Sequence, residues 1–206
     1  MTQLQQLQDL LADGSVWRSS KLRSLGIRPQ AIANALKAGH IRQVSKGFYY
    51  RADTGLGPEF ASLLAACHRM PQGVACLLSA GHLAGLVQEA PKQPWIALPA
   101  TAHGSTARGQ AGRLLRWTYD GAFEAGIVER RIGGASIKVT GPARTVVDLV
   151  RYGRHLGGLE PAADAIRRFV TSGGAFADVV AIAMQLRVPE ETLRRLETFR
   201  VAMAAR

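Results

Sequence analysis

The stretch VWRSSKLRSLGIRPQAIANALKAGHIRQVSKGFYYR, residues 16–51, carries eight lysines and arginines and no acidic residue. Its local signals divide it into short pieces. Ser19 or Ser20 can cap a short helix over 21–25, Gly26 supplies a tight turn, and Pro29 stands where a proline opens a second helix reaching to about Ala38. Gly39 ends that helix. Two β-rich runs, 41–44 and 48–51, follow on either side of Ser45, Lys46 and Gly47, a hairpin-turn composition with a cation at its tip. Two helices joined by a tight turn and followed by a hairpin read as a winged helix-turn-helix, with the hairpin as the wing.

The second of these helices is the one expected in a DNA major groove. Ala31, Ile32, Ala35 and Leu36 fall on one helical face, leaving Arg28, Gln30, Asn34 and Lys37 on or near the other. Asn and Gln can pair bidentately with adenine and Arg with guanine, while Lys and hydroxyl groups mostly hold phosphates. The expected DNA-binding set is therefore Ser20, Lys21, Arg28, Gln30, Asn34, Lys37, Arg42 and Lys46, on double-stranded operator DNA bound by two copies of the chain. A solvated basic face on a module that docks protein is the competing reading.

Going outward, residues 2–14 open with Thr2 as a helix cap and carry Leu4, Leu7, Leu10 and Leu11 at three- and four-residue intervals, a first helix packed behind the second. After the wing, residues 52–58 (ADTGLGP) concentrate Gly, Asp and Pro, the composition of a linker. The expected division is thus a winged helix-turn-helix domain over 1–52 and a second domain over 53–206. In the second domain Pro58 opens a helix to about Met70, and Ser79 is a plausible N-cap for a helix over 80–86. Strands follow over 95–98, 114–119, 127–132 and 136–140, the last two joined at Gly133 and Gly134. Helices over 142–150, 161–170, 176–186 and 189–203 each start at a proline or a Gly-rich break. The fold class is α+β, with a small sheet flanked by helices and a helical C-terminal part.

Composition supports a folded chain with a basic partner surface. Of 206 residues, 47% are hydrophobic, and 26 basic against 15 acidic residues give a net charge of +11. Residues 1–52 hold eight of the cations but only two of the anions, so positive charge is densest in the first quarter, as suits encounter with an anionic partner. Cys67 and Cys76 are the two cysteines and make neither a disulfide framework nor a zinc spacing, which points to a reducing compartment. No apolar run approaches the roughly 18 residues of a membrane span, and the N-terminus has no signal-peptide core, so a cytoplasmic location is expected.

LSAGHLAGL (78–86), WIALP (95–99) and IKVTGPARTVVDLV (137–150), placed behind an N-terminal winged helix ending in KGFYY, resemble the AbiEi antitoxins of type IV toxin-antitoxin systems, first named for phage abortive infection. The resemblance covers nearly the whole chain, and GPARTVVDLV is its closest segment. It implies a transcriptional repressor of its own operon, with a C-terminal domain that counters a nucleotidyltransferase-class toxin without forming a stable complex with it.

An enzyme that inactivates the toxin covalently, for example an atypical protein kinase, is the alternative, and a winged-helix regulator without a toxin is a further one. The sequence supplies little for the first. Residues 103–113 (HGSTARGQAGR) place Gly104 and Gly109 at phosphate-loop spacing, but Gln110 and Ala111 stand where Lys and Ser or Thr are needed. Arg108, Arg113 and Arg116 are left as a candidate anion site. Ser79 lies in no GxSxG elbow, and the five histidines form no HExxH pair. Arg144, Thr145 and Asp148 read more readily as a structural group, with Asp148 within a helical turn of both Arg144 and Arg151. No catalytic residue, metal ligand or cofactor is expected.

Overall fold

The computed structural model describes residues 2–102 and 112–204. Its contacts gather the chain into two compact units, one built from residues up to Pro71 together with Arg130–Ile137, the other from the remaining described residues.

In the first unit α1 (Gln3–Leu10) begins with a capping box, in which the Thr2 hydroxyl accepts from the Gln5 backbone and the Gln5 side chain accepts from the Thr2 backbone. Then come β1 (Trp17–Arg18), α2 (Ser19–Ser24), α3 (Pro29–Lys37), β2 (Ile41–Ser45), β3 (Phe48–Arg51) and α4 (Pro58–Arg69). The three strands form an antiparallel sheet in the order β1-β3-β2, so the β2–β3 hairpin gains a third strand from the segment that precedes α2. Leu7, Leu11, Leu22, Ile27, Ile32, Ala35 and Ile41 make the core that holds the three short helices to this sheet. Each helix alone is too short to persist in water, so this shared apolar contact stabilises all three.

Two local expectations change. Neither Ser19 nor Ser20 caps α2: Arg18 occupies the cap position without a side-chain bond, and the Ser19 backbone N–H instead donates to the Gly47 carbonyl at 2.8 Å. The start of α2 is thereby tied to the turn between β2 and β3. Leu36 is 37% exposed, because α3 turns Ile32 and Ala35 inward and carries Leu36 past the edge of the buried stripe. The unit also includes α4, which packs against β2. Near the end of α1, a Cβ at Gly133 would come within 2.7 Å of the Gly14 carbonyl oxygen, so only glycine fits there.

The second unit holds β4 (Val74–Ala75), α5 (Leu77–Leu83), β5 (Trp95–Pro99), β6 (Arg113–Trp117), β7 (Ile127–Ile132), β8 (Ala135–Thr140), α6 (Pro142–Arg151), α7 (Glu160–Thr171), α8 (Phe176–Gln185) and α9 (Glu190–Ala204), with residues 130–137 of the β7–β8 hairpin assigned to the first unit. The sheet order is β6-β5-β4-β8-β7, with β4 antiparallel to β5 and parallel to β8, and β5 parallel to β6. Five strands form: besides the four marked by the sequence pattern, the apolar run 74–78, which reads as either a buried strand or a helix start, gives the two residues of β4, paired on both sides. Ser79 does not cap α5 but lies inside it, where its hydroxyl accepts from the Trp95 backbone at 2.9 Å and fixes the helix to β5. Helix α6 is the centre of the unit: residues 144–150 are all buried, and α5, α7, α8 and α9 pack around it. No helix among the described residues is long and apolar enough to cross a membrane.

Candidate nucleic-acid interface

The α2–α3 turn is fixed from outside by two glutamines of α1. Gln3 Nε2 donates to the Gly26 carbonyl at 3.2 Å, Gln3 Oε1 accepts from the Arg28 backbone at 2.9 Å, and Gln6 Nε2 donates to the Leu25 carbonyl at 3.2 Å. Turn carbonyls and the N–H of Arg28, the cap residue of α3, are thus satisfied by side chains, which helps set the angle between the two helices. Gly26, at φ +88°, supplies the left-handed residue the turn requires.

On this frame every sequence-expected residue is exposed. Ser20 and Lys21 project from α2, Arg28 stands at the cap of α3, and Gln30, Asn34 and Lys37 lie along α3. Arg42 is on β2, and Lys46 occupies the turn between β2 and β3. Seven cations between residues 18 and 46 (Arg18, Lys21, Arg23, Arg28, Lys37, Arg42 and Lys46) are exposed and have no carboxylate partner among the described residues. Arg51, the eighth, differs: it holds Asp53 at 2.5 Å and reaches the Gln8 carbonyl. The hydrogen bond from Arg51 also keeps the Asp53 carboxyl below the usual carboxylate range.

One pairing was not legible in the sequence. Gln30 Nε2 donates to Asn34 Oδ1 at 2.9 Å, one helical turn away. The Gln30 carbonyl oxygen and the Asn34 amide protons stay available, so the two side chains offer an acceptor and a donor from one locked unit. That is the combination an adenine edge requires, now spread over two residues instead of one.

The second unit presents a different kind of polar group. Arg144 is buried in α6, and its Nε lies 2.9 Å from Asp148 Oδ2, both side chains being fully enclosed. Its Nη1 donates to the carbonyls of Ala122 at 3.0 Å and Ala125 at 2.6 Å, and the guanidinium lies 4.4 Å from the centre of the Trp117 ring. Thr145 Oγ1 donates to the Thr140 carbonyl at 3.0 Å and joins α6 to the end of β8. Burial pushes the Asp148 carboxyl up, and the charge and hydrogen bond of Arg144 oppose that shift. A Cβ at Gly126, which sits at φ +66°, would come within 2.7 Å of the Arg144 Cβ, so the loop before β7 closes directly over the pair. Arg144, Thr145 and Asp148 therefore hold the unit together.

The glycine-rich loop singled out above, with Gly104, Arg108, Gly109, Gln110 and Ala111, lies outside the described residues. Its neighbours are engaged elsewhere: the Arg113 guanidinium sits 5.1 Å from the Trp95 ring centre, and Arg116 Nη1 donates to the carbonyls of Pro99 and Ala102. Among the described residues no group of three His, Cys, Asp or Glu side chains is placed to hold a metal ion.

Comparison with known proteins locates the second unit. Residues 73–173 match the family model of the AbiEi antitoxin C-terminal domain, a span that includes α5, the five-stranded sheet, the Arg144–Asp148 pair and α7. No curated protein matches significantly. Among solved structures, the crystal structure of the RV2827C protein from Mycobacterium tuberculosis superimposes with a TM-score of 0.59 at 16% identity, over 90% of this chain and 71% of that one, which shows a shared fold. The domain at 73–173 is thus an AbiEi antitoxin C-terminal domain, the kind found in antitoxins of toxin-antitoxin systems.

Proposed function

We propose that this antitoxin is also the transcriptional repressor of its own type IV operon, binding inverted repeats in operator DNA as two copies, while its C-terminal domain counters a nucleotidyltransferase-like toxin in the cytoplasm. The observation that carries the DNA reading is the set of seven exposed cations without carboxylate partners among the described residues, spread over β1, α2, α3 with its cap residue, and the β2–β3 hairpin. Such a surface attracts the phosphate backbone, and the amides of Gln30 and Asn34 with the Arg28 fork supply direct base readout beside it. Neutralisation is assigned to the C-terminal domain because the AbiEi match lies wholly within residues 73–173, apart from the basic helices.

The two activities are separable on this reading. In cells carrying the cognate toxin and a reporter driven by the operon's promoter, the full chain with Arg28→Ala and Asn34→Ala should lose repression and still rescue growth. Loss of both activities together, in a variant that remains folded, would refute the division of labour. Footprinting of the upstream region with purified protein tests the operator directly, and protection of a single unrepeated site would argue against two copies.

A further inference from the structure

Helix α8 is apolar nearly all round, yet only part of it is covered. Val179 and Ala183 are buried, on the side where α8 packs with α6 and α9. Away from them Ala177, Val180, Ala181 and Met184 are exposed, Val180 by 41% and Met184 by 62%. Residues separated by three, four and seven positions share one face of a helix, so these four make a continuous stripe. A helix without a polar face belongs in an interior, and the stripe therefore has the composition of a contact surface.

Charge narrows the choice of partner. The chain carries +11, so two copies repel each other unless they meet where cations are missing. Residues 172–186 contain no cation and one acid, Asp178. The helices on either side in the chain differ, since α7 exposes Arg167 and α9 exposes Arg194 and Arg200. The stripe on α8 thus offers this basic chain a way to meet itself.

The stripe is also complementary to itself. When two α8 helices lie antiparallel about a twofold axis passing between residues 180 and 181, Met184 of each copy comes level with Ala177 of the other. The largest side chain of the stripe then meets one of the smallest, twice, with Val180 and Ala181 beside the axis. Asp178 and Gln185 are exposed and seven residues apart, on one flank of the stripe. In the same pairing the Gln185 amide of one copy lies about 3 Å along the axis from the Asp178 carboxylate of the other, so the amide can donate to the acid.

We propose that α8 is a homodimer interface, through which two copies of this chain associate as an antiparallel pair of helices. The inference deepens the reading of a repressor that binds inverted repeats as two copies, and it rests on that reading for its purpose. One short helix from each copy is less than a permanent dimer buries, so the pair forms reversibly and is strengthened when an inverted repeat holds both copies. A surface that pairs with itself closes at two copies and does not grow into a filament.

The test is sedimentation equilibrium of the full chain without DNA, at concentrations up to about 500 µM. The parent should move from the monomer mass toward twice that mass as concentration rises. Val180→Glu and Met184→Glu each place a charge inside the pair and should weaken association by about tenfold or more, with Tm unchanged because both positions face water in the monomer. The register has its own control. Ala177→Met alone sets methionine against methionine and should weaken the dimer, whereas Ala177→Met with Met184→Ala exchanges the facing pair and should restore it. A parent that stays monomeric throughout overturns the proposal, and a one-to-one complex with the toxin that Met184→Glu then abolishes would give the stripe to the toxin instead. A dimer indifferent to all of these substitutions overturns α8 as its seat. A dimer that responds as stated while the chain fails to bind its operator leaves the interface standing and overturns the repressor reading.

Discussion

In the first unit seven exposed cations without a carboxylate partner among the described residues fall within residues 18–46, whereas in the second such cations (Lys92, Arg113, Arg116, Lys138, Arg154 and Arg187) are scattered along the chain and Arg144, Arg167, Arg194, Arg195 and Arg200 each pair with an acid three or four residues away. Both units are rich in arginine, yet the paired charges cancel within one helical turn, and what field remains fades over a screening length of about 8 Å. The unpaired ones add up. A net charge of +11 therefore says less about partners than does the question of which cations have been given an acid by the local sequence. The second unit then divides once more, between one pair that is fully buried and four that face water. These two contrasts can be broken experimentally.

The largest effect belongs to the buried pair. Arg144→Ala or Asp148→Ala leaves one charge enclosed without its partner, and should destabilise the second unit by about 3 to 5 kcal/mol. For a chain of this length that corresponds to a fall in Tm of roughly 6 to 20 °C, readable by calorimetry. Replacing both together, Arg144→Met with Asp148→Leu, should restore most of the loss, since two apolar side chains need no partner. If either single variant melts within a degree of the parent, the pair does not hold α6 as described.

Next come the residues proposed to read bases. Arg28→Ala and Asn34→Ala should each cost about 1 to 3 kcal/mol on the operator and much less on unrelated DNA, narrowing the gap between the two. The Gln30–Asn34 bond sharpens this: Gln30→Ala frees the Asn34 amide, so the two losses should not add. Additive losses would mean that each amide reads its own base. Lys46→Ala, at the wing turn, should weaken all duplexes alike and flatten the salt dependence by about one phosphate. A loss confined to the operator would move Lys46 from positioning to readout.

Much of this comparison could be seen in the sequence because its signals are local. An acid-free run, a proline at 29, 58 or 142 and a glycine at 26 or 39 act through their own backbone, and the helices of both units begin close to where those residues put them. Signals that need a distant partner were not legible. Strand β1 is two residues long and exists because Trp17 and Arg18 meet Tyr49 and Phe48, and the run 74–78, open to strand or helix by sequence, becomes β4 because it is paired on both sides. Ser79 looked like a cap because nothing nearby reveals that Trp95 will donate to it. Arg69 lay beyond the basic stretch and beyond the apparent linker, so its place beside Phe48 could only come from packing. In GPARTVVDLV the spacing of Arg144 and Asp148 was plain, but their burial was not, because the same spacing occurs on the exposed helix α9.

That repeated spacing gives the smallest effect and the strictest control. Glu190 and Arg194 are four residues apart on α9, as Arg144 and Asp148 are on α6, and their polar atoms lie at 2.7 Å, yet both side chains are more than 70% exposed. Water solvates each charge nearly as well as its partner does, and holding two long side chains in one geometry offsets part of the gain. Arg194→Ala should therefore change stability by less than about 0.5 kcal/mol, inside the range usual for exposed helical pairs. It should also respond to salt, because an exposed pair is screened, whereas the effect of Arg144→Ala should be the same at low and high ionic strength. If Arg194→Ala were as damaging as Arg144→Ala, burial would not be what distinguishes the two, and α9 would have to be held through Arg194 by some contact other than Glu190.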